Sequence, residues 1–551
     1  MNLIEDAWVP VIRADGYARI APADLTDERN PVLRPAATRP DFNSSLMQFL
    51  IGLLQTAYPP QDMDDWLDRY LQPPSRESLQ DWFRPLTPFF QLNGDGPRFM
   101  QDYVAAELDS QSPGELAALL IDAPGEQAQK FNKDLFVKRG GAREMCAACA
   151  GTALLTLQTH APAGGAGHRT SLRGGGPLNT WLLSQELPDC PPSLWRDVWS
   201  NVLEAGSFSA LGRPRVQTEE AFPWASPTRC SDKKGSELTP ESGPADWLYW
   251  ATPRRIRLDF DATCEGHCGI CGEPGARLLQ RYRTRNYGAN YTTGWLHPLS
   301  PYYKAKETDF DFLPRHPKGG MDYRDWLALT VGDGGLGRAA TVVRCWPARQ
   351  AALRRRLRGV PRRAARLAAN GYDMDNMKPL CWHESVMPVL AVSDERFVTD
   401  VKLCIDGAEL AGSYLRSALK AAWFSPGATV KGDFAFATAA FWQATEPAFY
   451  RAVDALAQVF EEEASDADAT RLSIRTGWLR ELENEALKLF ELHAESGPAE
   501  QGNVKRVALA HRQLMQSLRG PKLKAALGFA PPEVLAAKGS KARTSTVAGK
   551  G

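Results

Sequence analysis

Four cysteines have a spacing that can do chemistry. Cys146-Ala147-Ala148-Cys149 and Cys268-Gly269-Ile270-Cys271 are two C-x-x-C pairs in a chain with ten cysteines in all. Two such knuckles supply four thiolates, the donor set of a tetrahedral zinc site with Zn–S bonds of about 2.3 Å. Cys146 and Cys149 fall at i and i+3 near a predicted helix start, where the helix N-terminus favours thiolate. Gly272 follows the second pair, where a knuckle must turn. The pairs are far apart in the chain, so a shared metal would staple distant segments. The competing reading is two buried, uncoordinated pairs, and Cys264 and His267 are spare donors. Four sulfur ligands leave no open coordination position, so this zinc would be structural.

Three further stretches carry binding chemistry. Ala163-Gly164-Gly165-Ala166-Gly167 lacks the Gly-Lys-Ser/Thr ending of a phosphate-binding loop. Its glycines would still let a backbone approach a partner closely, although on the loop alone a plain turn or a helix C-cap is the better explanation. His168, Arg169 and Arg173 make the neighbourhood cationic, which suits a nucleic-acid backbone. Arg281, Arg283 and Arg285 interleave with Tyr282 and Tyr287. That pattern fits phosphate contact plus base stacking, or a strand with one solvated basic face. The stretch 344–370 carries nine arginines, Arg344 to Arg366, without one acid. It would gain from counterion release on a polyanion, or meet an acidic protein. The eight histidines have no fixed partner spacing, and neither an H-E-x-x-H nor a nucleophile elbow occurs.

These groups need a scaffold. The chain has 551 residues, 43% of them hydrophobic and 24% charged, which is globular and long enough for two to four domains. Its 65 basic and 65 acidic residues cancel, which excludes a wholly basic coat protein but not local patches. No apolar run approaches the roughly 18 residues of a membrane span. The first ten residues carry Glu5 and Asp6 and no basic segment, unlike a secretory signal, and the cysteines are too sparse for a disulfide framework. A cytoplasmic location is the expectation.

Short strands and turns are predicted before residue 40. Helices are predicted over Asp41–Tyr58, Ser75–Phe83, Pro113–Ile121 and Glu144–Gln158, and a strand over Tyr249–Asp261. From about Phe397 the texture becomes helical, with Glu409–Phe424, Phe436–Glu463, Ala469–Glu495 and Val504–Leu518 reading as a four-helix bundle. The expected fold class is α+β: a mixed α/β N-terminal domain (1–396) with a structural zinc site, an all-α C-terminal four-helix bundle (397–530) and a disordered basic tail (531–551).

An ordered set of motifs carries a family resemblance. Asn2-Leu3 leads to Asp6-Ala7-Trp8-Val9-Pro10-Val11, and Ser171-Leu172-Arg173-Gly174-Gly175-Gly176-Pro177 follows the glycine loop. Gly294-Trp295-Leu296-His297-Pro298-Leu299-Ser300-Pro301 follows the second C-x-x-C, and Gly371-Tyr372-Asp373-Met374-Asp375-Asn376-Met377-Lys378 precedes Trp382. Together they resemble CasA, the large subunit of the type I-E CRISPR Cascade surveillance complex, over about residues 1 to 520. The resemblance implies a non-catalytic subunit that reads the protospacer-adjacent motif of double-stranded DNA through the minor groove. It implies duplex opening, R-loop formation and recruitment of a helicase–nuclease, with guide RNA and the other Cascade subunits as partners.

By position, the family's glycine loop falls on Ala163, Gly164, Gly165, Ala166 and Gly167, with alanine interrupting the glycines twice. Its basic finger falls on Arg285 or Asn286, with Arg285 the expected one because it can donate to groove acceptors. Its strand-splitting wedge falls on Asp375, Asn376, Met377 and Lys378. A loop near the guide RNA and the motif falls on Phe136, Lys138 and Arg139. The zinc ligands fall on Cys146, Cys149, Cys268 and Cys271. Two rival functions are a zinc-dependent nucleic-acid-processing enzyme, which needs an open metal position and a general base, and a pure protein scaffold.

Overall fold

The helix Pro40–Ala57 is the axis of the larger part of the molecule. Pro40 stands at its first turn, where a missing N–H costs nothing, and Tyr58 closes it ahead of Pro59. Leu46, Phe49, Leu50, Ile51, Leu53 and Leu54 all lie in the core, so the helix is covered on every side. Phe49 meets Trp8, Phe90, Phe99 and Trp250 edge-on at 5.1–5.9 Å. The helix Ala147–His160 packs beside it, where Thr156 Oγ1 donates to Ser45 Oγ at 2.9 Å.

In the computed structural model the described residues are 1–124, 130, 141–165, 167–184, 187, 190–306, 308–309, 312–332, 336–361, 365–390, 392, 394–425, 434–461, 466–495 and 503–529. The chain divides into two compact units, residues 1–321 with 328–391, and residues 322–327 with 392–551.

In the first unit the described residues form four three-stranded sheets. Two of them position the site. Arg255–His267 and Pro274–Arg285 form a long antiparallel ribbon whose third strand is Gly114–Glu115. Ala365–Asp375 and Lys378–Val389 form a second antiparallel hairpin, with Asn179–Ser184 on the other edge of the first strand. Two sequence expectations need correction. Pro113–Ile121 is not an α-helix: Gly114–Glu115 pairs with Arg281 and Tyr282, and only a 3-10 turn, Leu116–Leu119, follows. The strand placed at Tyr249 begins at Arg255, because Trp247–Trp250 is a buried helical turn and Pro253 precedes the ladder. The Arg-rich stretch is likewise two elements, the helix Thr341–Arg356 and the start of the strand Ala365–Asp375.

In the second unit the described residues include four long helices, Glu395–Trp423, Ala435–Glu461, Ala467–Glu495 and Val504–Leu518, with the short Pro521–Ala526 after them. Phe441, Phe449, Leu456, Trp478, Leu482 and Phe490 are buried there. The fully buried Asp400 is held by Arg471 and, at 3.0 Å, by Arg475. Residues 322–327 belong to this unit through Tyr323, which stacks on Phe449 at 4.3 Å and bonds Thr445 Oγ1 at 2.8 Å. The first of the four helices starts well before the predicted Glu409, with Asp394 as its cap. The tail 531–551 lies outside the described residues.

Candidate nucleic-acid interface and cysteine cluster

The sulfurs of Cys146, Cys149, Cys268 and Cys271 all lie within 4.8 Å of one another. Cys146 caps the helix Ala147–His160, its Sγ accepting from the Cys149 N–H at 3.5 Å. Cys268 and Cys271 sit in the turn that joins the two ribbon strands, and Cys268 Sγ accepts from the Cys146 N–H at 3.3 Å. Cys146 Sγ and Cys271 Sγ are 3.9 Å apart. Tetrahedral bonds of about 2.3 Å give sulfur–sulfur edges of about 3.8 Å, so the donor set fits zinc. Cys146 and Cys268, together with burial, push the Cys149 thiol far up, while hydrogen bonds from Cys146 and Cys149 pull Cys268 down. Four crowded thiols share their protons in this way until a divalent cation replaces them. Cys264 and His267 are not part of the group.

About 20 Å of helix separates this cluster from the glycine loop, which starts after His160. The loop closes on itself through Gly164 N–H to His168 O (3.4 Å) and His168 N–H to Gly165 O (3.2 Å). Arg254 supports its root by donating to Pro162 O, and Gln158 Oε1 accepts from the Arg254 N–H at 3.0 Å. Gly165, at φ 95°, is exposed, and a Cβ added there would meet nothing within 4 Å. Gly167, at φ 78°, is the opposite case: a Cβ would lie 2.9 Å from both Asn286 Cβ and Tyr287 N. Its carbonyl accepts from the Tyr287 N–H at 2.8 Å. The glycine loop and the end of the ribbon are therefore in direct contact. Ala163 is exposed, and Ala166 lies outside the described residues.

At that ribbon end Arg285 is 44% exposed, yet its Nη1 donates to Glu107 Oε2 at 2.6 Å, and Arg255 shares the same carboxylate at 2.5 Å. Asn286 beside it is exposed, and among the described residues its side chain has no hydrogen-bond partner. Tyr287 is exposed with φ 63°. Between the two finger candidates, Asn286 is the one ready to donate, and Arg285 must first leave Glu107.

The predicted wedge is the tip of the second hairpin. Asp375 pairs with Lys378, and Asn376 and Met377 between them have φ 46° and 62°. Positive φ at both central residues is what a type I′ turn requires. All four residues are exposed. The tip reaches the loop root: a Cβ on buried Gly175 would lie 2.8 Å from Met377 Sδ and 2.9 Å from Pro162 Cα. Gly176 N–H also bonds His160 O at 3.1 Å. The structure thus brings together the glycine loop and the residues predicted as finger and wedge.

Other expected cations are spent on structure. Arg173 is buried and donates to Asn179 (2.6 Å), Ser300 (2.9 Å) and Gln48 (2.6 Å). Arg169 is fixed on Ser231, and Arg283 on the carbonyls of Asp109 and Gln111. Arg349 is wholly buried against Trp66, bonding Ser200 O and Val202 O at 2.8 Å, whereas Arg354, Arg355 and Arg356 are exposed. Phe136, Lys138 and Arg139 lie outside the described residues. Sequence reasoning missed Arg254 and Glu107, whose roles come from distant segments and leave no local pattern.

The model of the family described as CRISPR-associated protein Cse1 matches residues 2–489. Among solved structures, Thermobifida fusca Cse1 is similar at 17% identity and TM-score 0.67, over 96% of this chain and 98% of that one. Thermus thermophilus CasA is similar at 17% identity and TM-score 0.63, over 94% and 99%. A chain of a structure described as a CRISPR RNA-guided surveillance complex is similar at 16% identity and TM-score 0.62, over 94% and 99%. With a match that spans nearly its whole length, the chain belongs to the Cse1 (CasA) family of CRISPR-associated proteins.

Proposed function

We propose that this protein is the non-catalytic large subunit of an RNA-guided Cascade complex and reads the protospacer-adjacent motif of double-stranded DNA. Residues 1–396 act as the target-recognition domain and 397–530 as the helical bundle. The exposed backbone at Gly165 enters the minor groove, where only a narrow, side-chain-poor element fits and the base code is mainly A·T against G·C. Asn286 or Arg285 donates to groove acceptors alongside it. The tip Asp375–Lys378 then intrudes below the motif, with Met377 as an apolar insert. Unstacking costs about a few kcal/mol per step, offset as the guide RNA pairs with the opened strand. The zinc, when bound, holds the cysteine knuckles together and takes no part in chemistry. Guide RNA, the other Cascade subunits and a helicase–nuclease are the further partners. Among the described residues no helix is long and apolar enough to cross a membrane.

The observation that carries this reading is the convergence of Gly167 on Asn286 and Tyr287, and of Gly175 on Met377 and Pro162. A pure scaffold has no need of it. The test is a motif-library binding assay of the reconstituted complex with Gly165→Asp, which places a side chain and a negative charge at the loop apex. Selective loss of motif-dependent binding is expected. Unchanged motif selection would refute the reading.

A further inference from the structure

Outside these sites, one cluster of ligating side chains has a geometry that packing alone does not require. Asp373 and Cys381 are direct cross-strand partners on the hairpin, and His383 is two residues beyond Cys381. Side chains alternate along a strand, so all three fall on one face of the hairpin. Their donor atoms lie within 4.8 Å of one another. Cys381 Sγ is 3.2 Å from His383 Nε2, and Asp373 Oδ2 is 3.9 Å from the same nitrogen.

That shared nitrogen decides the chemistry. In a nucleophilic relay the thiol meets one ring nitrogen and the carboxylate orients the other. Here both point at Nε2, while Cε1 and Nδ1 would lie 3.5 and 3.7 Å from a Cβ built on Gly320. The 3.9 Å carboxylate separation is too long for a hydrogen bond. Three donors converging on one point, and not forming a chain, is the arrangement of a coordination site. Asp373 is nearly buried and preset, its Oδ2 accepting from the Gly319 N–H at 2.9 Å.

We propose that Asp373, Cys381 and His383 bind a divalent transition metal of the zinc class, at a second site distinct from the four-cysteine cluster. One sulfur, one nitrogen and one oxygen select such an ion over magnesium or calcium, which take oxygen ligands. Bonds of about 2.0–2.3 Å at tetrahedral angles place donors about 3.4–3.6 Å apart, within about half an ångström of the 3.2 and 3.9 Å separations from His383 Nε2. Cys381 is exposed, so the fourth position faces solvent and takes water or an exchangeable ligand. The metal cross-links the two strands directly below the turn at Asn376 and Met377. This site is independent of the proposed role in DNA reading.

The test uses the full chain loaded with one equivalent of Zn2+, which the four-cysteine cluster takes up, so that the second site starts empty. Co2+ is titrated in and the thiolate-to-cobalt charge-transfer absorbance is followed. One further equivalent with that band is expected. Cys381→Ser should abolish the band, and His383→Ala should weaken binding about 10-fold or more. In parallel, Zn2+ should slow alkylation of Cys381, mapped by mass spectrometry. Circular dichroism and retained zinc at the other cluster report that the variants fold. A wild-type chain that takes up no further cobalt, or a Cys381→Ser chain that takes up the same amount with the same band, overturns the proposal.

Discussion

Adding one methyl group at Gly167 and at Gly165 should have different consequences. Both glycines have positive φ, so each alanine pays the left-handed penalty of about 1–2 kcal/mol. At Gly165 that is the whole cost, because the added Cβ meets nothing within 4 Å. At Gly167 the Cβ lies 2.9 Å from Tyr287 N and from Asn286 Cβ. Backbone cannot swing aside as a long side chain can, so overpacking adds about 1–3 kcal/mol. Gly167→Ala should therefore be less stable than Gly165→Ala by about 1–3 kcal/mol. Urea unfolding of the full chain, followed by tryptophan fluorescence in the transition of the first unit, measures this. Motif binding by the assembled complex is the second readout. Gly165→Ala should weaken it with little further loss of stability, whereas Gly167→Ala should lower both. Equal stability of the two variants would show that Gly167 is not pressed on the ribbon end, and the joined loop and finger would fall with it.

Four other outcomes are expected. Cys268→Ser should lose zinc and lower the melting temperature of the first unit; unchanged metal content and melting would contradict a structural metal there. Met377→Gly removes a non-glycine residue from φ 62° and should stabilise the turn by about 1 kcal/mol, while Asn376→Ala with Met377→Ala should slow strand opening more than motif binding. Faster opening by Met377→Gly in a permanganate-footprinting time course would argue against an apolar insert. Asn286→Ala should cost more motif affinity than Arg285→Ala, since Arg285 is already engaged by Glu107; the reverse order, measured by mobility shift, would assign the finger to Arg285. Burial, followed by the charge of Arg173, holds His160 at a pKa of about 3, down from 6.5. The folded state thus keeps it neutral while the unfolded chain protonates below about pH 6.5. Its contribution is complete above that pH and is lost as pH falls toward 3, by about 2 kcal/mol at pH 5. Unfolding free energies at pH 7 and 5 should show this loss, and His160→Gln should reduce it.

The cysteine cluster was legible because C-x-x-C fixes two sulfurs locally, and chemistry demands that two such pairs meet. The helices Pro40–Ala57 and Ala467–Glu495 were legible from apolar periodicity and their stop signals. The start of the helix at Glu395 was not read, although Phe397, Val401, Cys404, Ile405 and Ala408 recur at helical spacing and are all buried. The opposite error, a helix over Pro113–Ile121, followed local propensity where pairing with Arg281 and Tyr282 decides the conformation. The composition of the glycine loop was visible, but whether Gly165 or Gly167 needed to be glycine depended on Tyr287, about 120 residues later, which no local pattern names. Arginines show the same limit: Arg349 and Arg354 look alike in sequence, and only the fold buries one and exposes the other.

Arg173 illustrates a wider effect of such burial. It sits in the core beneath the glycine segment with three neutral acceptors and, among the described residues, no carboxylate partner. Its charge survives, since even with its pKa brought down to about 10 by burial it stays protonated in any living cell. Burial and that fixed charge together keep His160 and His297 neutral. The ground under the loop consequently carries an electrostatic constant. Acidification by one unit from neutrality would hardly alter it, and under the proposed DNA-reading role salt, which competes for phosphates directly, would be the variable that tunes target search.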